Sequence, residues 1–594
     1  MGHKRGDSAG IAWFALVLEA IRSVGYRTPQ ERAAPMPIDL HILQSIDPDA
    51  LPDAQLRPTL RLLLNIVEEL VVSVEALKVE NQGLRNEINR LKGEQGIPRI
   101  PPRKPPTGGG DVSSEPERRE PRRWRKGAKQ DQLTISRTER LPVDAATLPA
   151  DAVRAGIDTV VIQDLIFRVD TIAFEREVWY SASEQRRIMA PLPAGYTGQF
   201  GPHLKALAQA LHFGANVTEA KLAELFRHAG VVVSHGFLAG LLAPESAPDD
   251  PFIVEAHAVE HAGLASSPWQ HLDATGTRVD GEPWHCHVLG NPLFTAYHTT
   301  PTKDRLAVLD VLQGCPGERR YQLNAAADAY LESVGLSTTA RGRLAPWPRD
   351  RDLDEATVTE LLAAQRLVLG PQQQTRIREA LALGAAHARA DWPRISTLVC
   401  DDAAAFRLVT DDLALCWVHE GRHYKKLVAH LDIHRRLLDT VRDQFWDYYR
   451  ELRAFREHPT AAERTRLTTR FEVLFGQVTG YRLLDERLAQ TREKQASLLR
   501  VLDHPELPLH NNPAELAARR RVRKRDASFG PRSLAGLRAW DTFHTLAATT
   551  QQLGVSFLAY LTDRWTQAGQ IPALADILRE RAATLHLGDS WSPA

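Results

Sequence analysis

Three acidic segments stand where a carboxylate is either costly or fixed in position. Asp273 lies inside the alternating stretch WQHLDATGTRV. Asp401 and Asp402 end the β-rich run ISTLVC, and Glu515 opens the segment HNNPAELAARRRVRKRDASFG. An acid in mid-strand, next to Leu272 on the opposite face, needs solvent or a partner charge. Asn512 suits an N-cap, Pro513 the first helical position, and Glu515 falls three residues after the cap. A helix is therefore expected here with Glu515 in its first turn, followed by Arg519, Arg520, Arg521, Arg523, Lys524 and Arg525. Two chemistries are open to it. One is a capped, solvated helix with Glu–Arg pairing at i,i+4. The other is a metal-ligating carboxylate beside a phosphate-binding surface. Hard carboxylate oxygens suit Mg²⁺, which keeps several waters and so needs few protein ligands.

Positioning these acids is the task of the elements around them. Pro268 to Thr300 reads as three antiparallel strands divided by Asp280–Gly281 and by Gly290–Asn291. A helix is expected at Arg305 to Leu312, then a helical insertion near 317–393 and a fourth strand ending in Asp. LALCWVHEGRHYKKL supplies a fifth strand running into a helix. A second helical insertion near 430–500 precedes the Glu515 helix. Within a mixed α/β protein, that is a ribonuclease H-like order spanning 260–545, with a helical segment at 546–594. Phosphodiester chemistry accounts for convergent acids, because two Mg²⁺ ions about 4 Å apart clamp the attacking and leaving oxygens of an in-line displacement.

The rest of the chain bounds the setting. At 594 residues it exceeds one ordinary core. Lys+Arg 74 against Asp+Glu 74 leaves no net field, so any nucleic-acid contact must come from local clusters. Four cysteines without a CxxC write neither a disulfide framework nor a zinc ribbon, and suit a reducing cytoplasm. MGHKRG and Ala9 to Leu18 mimic a signal peptide, but Glu19 and Arg22 end the run, so 1–50 is read as an amphipathic or poorly ordered leader. No segment approaches the ~20 apolar residues of a membrane span.

Residues 51–95 carry a heptad: Leu63, Leu70, Leu77, Leu84 and Leu91 at d, with Leu60, Val67, Val74, Asn81 and Ile88 at a. A single Asn among β-branched a residues favours a parallel, in-register homodimer, and Glu80 and Glu87 are placed to meet Arg85 and Lys92 of the partner copy. The competing structure is an amphipathic helix packed within one chain. Residues 96–130 form a Pro/Gly linker whose basic half, with Arg122, Arg123, Arg125 and Lys126, could bind phosphates or simply stay solvated. The region 131–197 looks small and mixed, with strands in TVVIQDLIFRVDTIAFEREVWY. In 198–245, Thr218 caps EAKLAELFRHAG and Ser234 caps HGFLAGLL across Gly230, which fits a helix-turn-helix or a plain helical hairpin.

HLDATGTRV, LVCDDAAAF, CWVHEGRHYKKL, HNNPAELAARRRVRKR with SFG, and TTQQLGVSFLAYLTDRW resemble DDE transposases of the insertion-sequence-66 type. The resemblance spans roughly 50–580 and is most specific at the Glu segment and at CWVH. It implies an acidic triad of Asp273, Asp401 and Glu515 holding two Mg²⁺ ions, with Mn²⁺ able to substitute. Asp401 rather than Asp402 is chosen because Phe406 then falls where the family has an aromatic. Double-stranded DNA, as element ends and target, is the implied substrate, with Arg519, Arg520, Arg523 and Lys524 on its phosphates and small accessory proteins of the same element as partners.

Three departures bear on end recognition rather than on the acids. No cysteine precedes Cys286, the insertion after Cys315 is long, and His510 and Leu516 replace the family's Asp and Arg. His285 with His287, and His419 with His423 near Cys416, offer no four-ligand spacing, so polar packing or DNA contact is expected of them. Neither a GxxxxGK[ST] loop nor a Gly-x-Ser-x-Gly elbow is present, so no nucleotide cofactor and no acyl chemistry are expected. Two rivals remain open: a nuclease that cuts without joining, and a catalytically silent DNA-binding protein.

Overall fold

A computed structural model describes residues 47–91 and 133–591, except 52, 145, 146, 150, 155, 245–248, 316, 318 and 365–368. Most of the leader, and the basic run with Arg122, Arg123, Arg125 and Lys126, lie outside the described residues. The chain divides into two compact units: Met1–Gly108, Gly421–Glu451 and Arg466–Lys494 form one, and Gly109–Glu420, Leu452–Thr465 and Gln495–Ala594 the other.

In the first unit, one helix runs through Leu56–Leu91. Its opening turns do not keep to the heptad seam. Leu60 and Leu64 pack on Leu431, with Leu51 and Ile433 alongside. The Asn65 side chain donates to the Gly480 carbonyl and accepts from the Arg482 N–H, both at 2.9 Å. Glu68, 1% exposed, accepts the backbone N–H groups of His430 and Leu431 and bonds the His434 ring, which stacks on Tyr481. Beyond these turns the seam is uncovered among the described residues: Leu70, Leu77 and Leu84 are 59%, 61% and 58% exposed. Asn81 is exposed, Leu63 is half-buried, and the side chain of Leu91 lies outside the description.

The second unit is built on a five-stranded mixed sheet: β1 Trp269–Val279, β2 Glu282–Asn291, β3 Phe294–Thr300, β4 Thr397–Cys400 and β5 Asp412–Leu415. Its order is β3-β2-β1-β4-β5, with the first three strands antiparallel and β1, β4 and β5 parallel. Asp280 and Gly281 both take positive φ, 50° and 83°, the two-residue turn whose twist matches the flanking strands. The second turn is displaced from Gly290–Asn291. Asn291 pairs with Phe294, so the loop is Pro292–Leu293, and Gly290 lies within β2. There a Cβ would come within 2.4 Å of the Phe294 carbonyl oxygen, so this glycine permits close backbone approach rather than a turn.

Helices α1 Pro251–Ala265, α2 Arg305–Leu312, α5 Asn512–Ser528 and α6 Leu534–Gln552 pack on the sheet, while α3 Pro371–Ala388 lies in the insertion before β4 and α4 Trp417–Lys426 follows β5 in the chain. One sheet face carries Cys286, Val288 and Tyr297 against Ala514 and Ala518 of α5 and Ala548 of α6. On the other, α1 brings Glu260 to His298, 2.7 Å away, and Gly263 to the Phe294 ring. Edge strand β3 is covered by α6. The N–H groups of Thr295, Tyr297 and Thr299 donate to Thr549, Thr545 and Asp541, spaced every four residues along that helix. The insertion before β4 includes α3, whose Glu379 is paired with Arg305 of α2 at 2.6 Å.

One further expectation changes. Of TVVIQDLIFRVDTIAFEREVWY, only the last residues join a hairpin, Val178–Ser181 with Arg186–Met189. The rest meets no partner strand among the described residues, and β-propensity without cross-strand neighbours does not make a strand. Thr218 and Ser234 do cap Glu219–His228 and His235–Leu242, with Gly230 at φ 87° between them. The second helix, HGFLAGLL, holds no Lys, Arg, Asn or Gln to read a base edge, and it buries Leu238, Leu241 and Leu242.

Glu68 yields a stability prediction. Burial works to raise its pKa, but the bonds from His434, His430 and Leu431 outweigh it and hold the carboxyl below 4.5. The stability it contributes is therefore present above pH 4.5 and is lost as pH falls through the lower folded value. Urea unfolding of Glu68→Ala should show a loss of about 3 kcal/mol at pH 7, and the difference from wild type should shrink on acidification.

Candidate catalytic site

Backbone pairing sets the height of two acids. β1 and β4 run parallel with His271 opposite Val399. Two residues further along come Asp273, still within β1, and Asp401, one residue past the end of β4. The two-residue period puts them on the face of His271 and Val399. In the antiparallel direction Asp273 pairs with Val288, the residue packed beneath Ala514 and Ala518 of α5. Glu515, next to Ala514, is on the helix that covers this face, and its side chain is 14% exposed. Asp273 and Asp401 are half-buried.

Local bonds separate the two candidate second acids. Asp401 Oδ1 accepts the Ala403 N–H at 3.1 Å, whereas Asp402 is bound by Arg407 at 2.5 Å. Asp273 Oδ1 accepts the Ala274 N–H at 2.9 Å. The Cys400 thiol, next to Asp401 in the chain, is held well above its ordinary pKa, first by burial and then by Asp401, Cys416, Asp402 and Asp273. Carboxylates thus gather near the end of β4, and hard oxygen donors of that kind fit divalent cations.

Asn511, fully buried, ties the helix to the sheet. Its Nδ2 donates to the Leu272 carbonyl at 2.8 Å, and its Oδ1 meets His271 Nδ1 at 2.9 Å. With the amide so oriented, His271 carries its proton on Nδ1. The Asn511 N–H reaches Cys416 Sγ at 3.2 Å, and its carbonyl accepts the Glu515 N–H at 3.1 Å. This corrects the expected cap. Asn511, not Asn512, occupies the cap position, and its side chain makes no cap bond because it is committed to β1. Burial drives the His271 pKa down to about 3, against the Asn511 bond, with the His510 charge adding to the fall.

The cationic run on α5 divides by helical face. Arg519 and Arg523 are exposed and Arg520 is half-buried, bonded to Gln551. Lys524 is not a surface cation: it is fully buried, donates to the His212 carbonyl at 2.8 Å and lies over the Trp540 ring. Burial, reinforced by Arg521, pushes its pKa down to about 7. Arg521 is buried too, bonded to Asp541, Thr299 and His544. One grouping was missed in the sequence. Cys416, His419 and Glu515 place one ligand atom each within 4.8 Å of one another, with His419 Nδ1 3.6 Å from Glu515 Oε1. CWVH marked the first two; the third comes from a helix remote in sequence.

Fold and site together define a mixed α/β domain with one acid inside β1, a second just past the end of the parallel strand β4, and a third on the covering helix. The chain belongs to the IS66 transposase family: residues 373–539 match the family described as "Transposase IS66 family", a segment holding β4, β5 and α5. It is 33% identical over 323 residues to "Uncharacterized protein y4jO" of Sinorhizobium fredii (strain NBRC 101917 / NGR234), covering 54% of this chain and 99% of that protein. No solved structure matches.

Two outcomes are expected. Asn511→Ala should cost about 2–4 kcal/mol in urea unfolding, since it strands buried groups on β1. Lys524 has a folded pKa of about 7 against an ordinary 10.5, so the unfolded chain binds more protons between those values and stability rises with pH across them. Lys524→Met should flatten that rise.

Proposed function

We propose that Asp273, Asp401 and Glu515 form the acidic triad of a ribonuclease H-like core and hold two Mg²⁺ ions, with Mn²⁺ as a substitute. The enzyme would cleave DNA at element ends and join the freed 3′-hydroxyl to target DNA. The observation that carries this is the β1–β4 register, which aligns Asp273 with Asp401 on the face covered by the Glu515 helix. When bound, the ions supply the clamp on attacking and leaving oxygens. The protein's own part is placement: β1 and the end of β4 fix two carboxylates, and Asn511 fixes the helix that bears the third. No protein nucleophile is required.

Family membership in IS66 supports a role in transposition and hence DNA as substrate. Arg519 and Arg523, exposed on α5 beyond Glu515, suit phosphate contact, as does the linker run outside the described residues. The uncovered seam from Leu70 to Ile88 supports a zipper homodimer that pairs two element ends. Small accessory proteins of the element belong to the same reading, as does a cytoplasmic setting. Among the described residues no helix is long and apolar enough to cross a membrane.

The test is Mg²⁺-dependent cleavage and insertion with DNA carrying the ends of the surrounding element. Wild type should cut and join. Asp273→Asn, Asp401→Asn and Glu515→Gln should each keep DNA binding and lose cleavage by about three orders of magnitude. A wild type that binds but never cuts in Mg²⁺ or Mn²⁺ overturns the enzyme reading, and nicks without insertions reduce it to a nuclease. Arg519→Ala should lower the slope of log K against log salt by about one.

A further inference from the structure

The Cys416–His419–Glu515 group combines three donor chemistries drawn from two elements. Cys416 immediately precedes α4, His419 lies in its first turn, and Glu515 lies in the first turn of α5. Mg²⁺ has little use for sulfur or imidazole, whereas a borderline-soft ion takes thiolate, imidazole and carboxylate together. We propose that these three side chains bind Zn²⁺, and that its occupation draws Glu515 away from the acidic centre. The binding stands on the cluster alone; the consequence for Glu515 rests on the proposed function.

Geometry favours a zinc-sized ion. Bond lengths of about 2.0–2.3 Å put tetrahedral donors roughly 3.3–3.7 Å apart. His419 Nδ1 and Glu515 Oε1 are 3.6 Å apart, and all three ligand atoms lie within 4.8 Å, so closure needs about 1 Å of side-chain movement. Three protein ligands leave the fourth position to water, as in open zinc sites. Burial, with Glu515 adding, pushes the Cys416 thiol up to about 11 and keeps it protonated until a cation arrives, while the N–H groups of His419, Asn511 (3.2 Å from Sγ) and Val418 work against that rise. On binding, the Cys416 S–H bond breaks, the sulfur keeps the electron pair for the metal, and the proton leaves to water, so affinity falls at lower pH. The Asn511 contact also links the sulfur to the clamp that seats α5.

Co²⁺ is the probe, because thiolate ligation gives a sulfur-to-cobalt charge-transfer band and tetrahedral ligation gives intense visible bands. The full chain should bind one Co²⁺ with both signatures, and Zn²⁺ should displace it. Cys416→Ser should abolish the charge-transfer band, and His419→Ala and Glu515→Gln should weaken binding at least tenfold. Asp273→Asn and Asp401→Asn should bind Co²⁺ like wild type, and near-UV circular dichroism of each variant checks that it folds. A wild type without the band, or a band that survives in folded Cys416→Ser, overturns the site. In the cleavage assay, Zn²⁺ that fills the site should inhibit the Mg²⁺-supported reaction, and no inhibition at full occupancy overturns the sharing of Glu515. A chain that shows the band but never cleaves DNA refutes the transposase reading and leaves the zinc site standing.

Discussion

Trp269 pairs with Thr397, Gln270 with Leu398 and His271 with Val399, and these three backbone registers join strands that are distant in the chain. Everything proposed for the acids depends on them. Because side chains alternate along a strand, a slip of one residue would move Asp401 to the opposite face and put Asp402 in its place. The pairing is protected by burial: all four residues of β4 are inaccessible, flanked by β1 and β5. Asn511 then ties α5 to the aligned strands, since this one buried residue touches β1, the sulfur of Cys416 and the backbone of α5.

Charge on α5 shows how a single helix serves two ends. Its inward cations, Arg521 and Lys524, are bonded to or lie over Asp541, His544, His212 and the Trp540 ring, and lock the helix against α6 and its neighbours. Its outward cations, Arg519 and Arg523, stay exposed. A cationic run in sequence therefore overstates the surface available to DNA, because burial removes part of the run while leaving its composition unchanged.

Legibility followed the range of the forces involved. Asp280–Gly281 was readable because positive φ at two adjacent residues is a local demand, and Thr218 and Ser234 because a cap acts within three residues. Gly290 misled, since its role is close approach to the Phe294 carbonyl, which only the folded pairing reveals. Asn512 was the obvious cap by type, yet Asn511 took the position because tertiary bonds to His271 and Leu272 claimed it. The heptad from Leu60 onward suggested one continuous seam; Glu68 and Asn65 divert its first turns onto the chain's own helices. The contribution of Glu515 to the Cys416–His419 pair was invisible because no sequence spacing links two helices so far apart. Element order and resemblance singled out Asp273, Asp401 and Glu515, and the structure adds that Asp273 and Asp401 share the sheet face covered by the Glu515 helix.

On the proposed triad, register and not acidity alone selects Asp401 over Asp402. The direct measurement is Mn²⁺ stoichiometry by electron paramagnetic resonance on the chain bound to element-end DNA. Two ions are expected for wild type and for Asp402→Asn, with loss of the pair in Asp401→Asn and Asp273→Asn. Loss in Asp402→Asn with retention in Asp401→Asn would contradict it, as would a wild type that binds no Mn²⁺ at all.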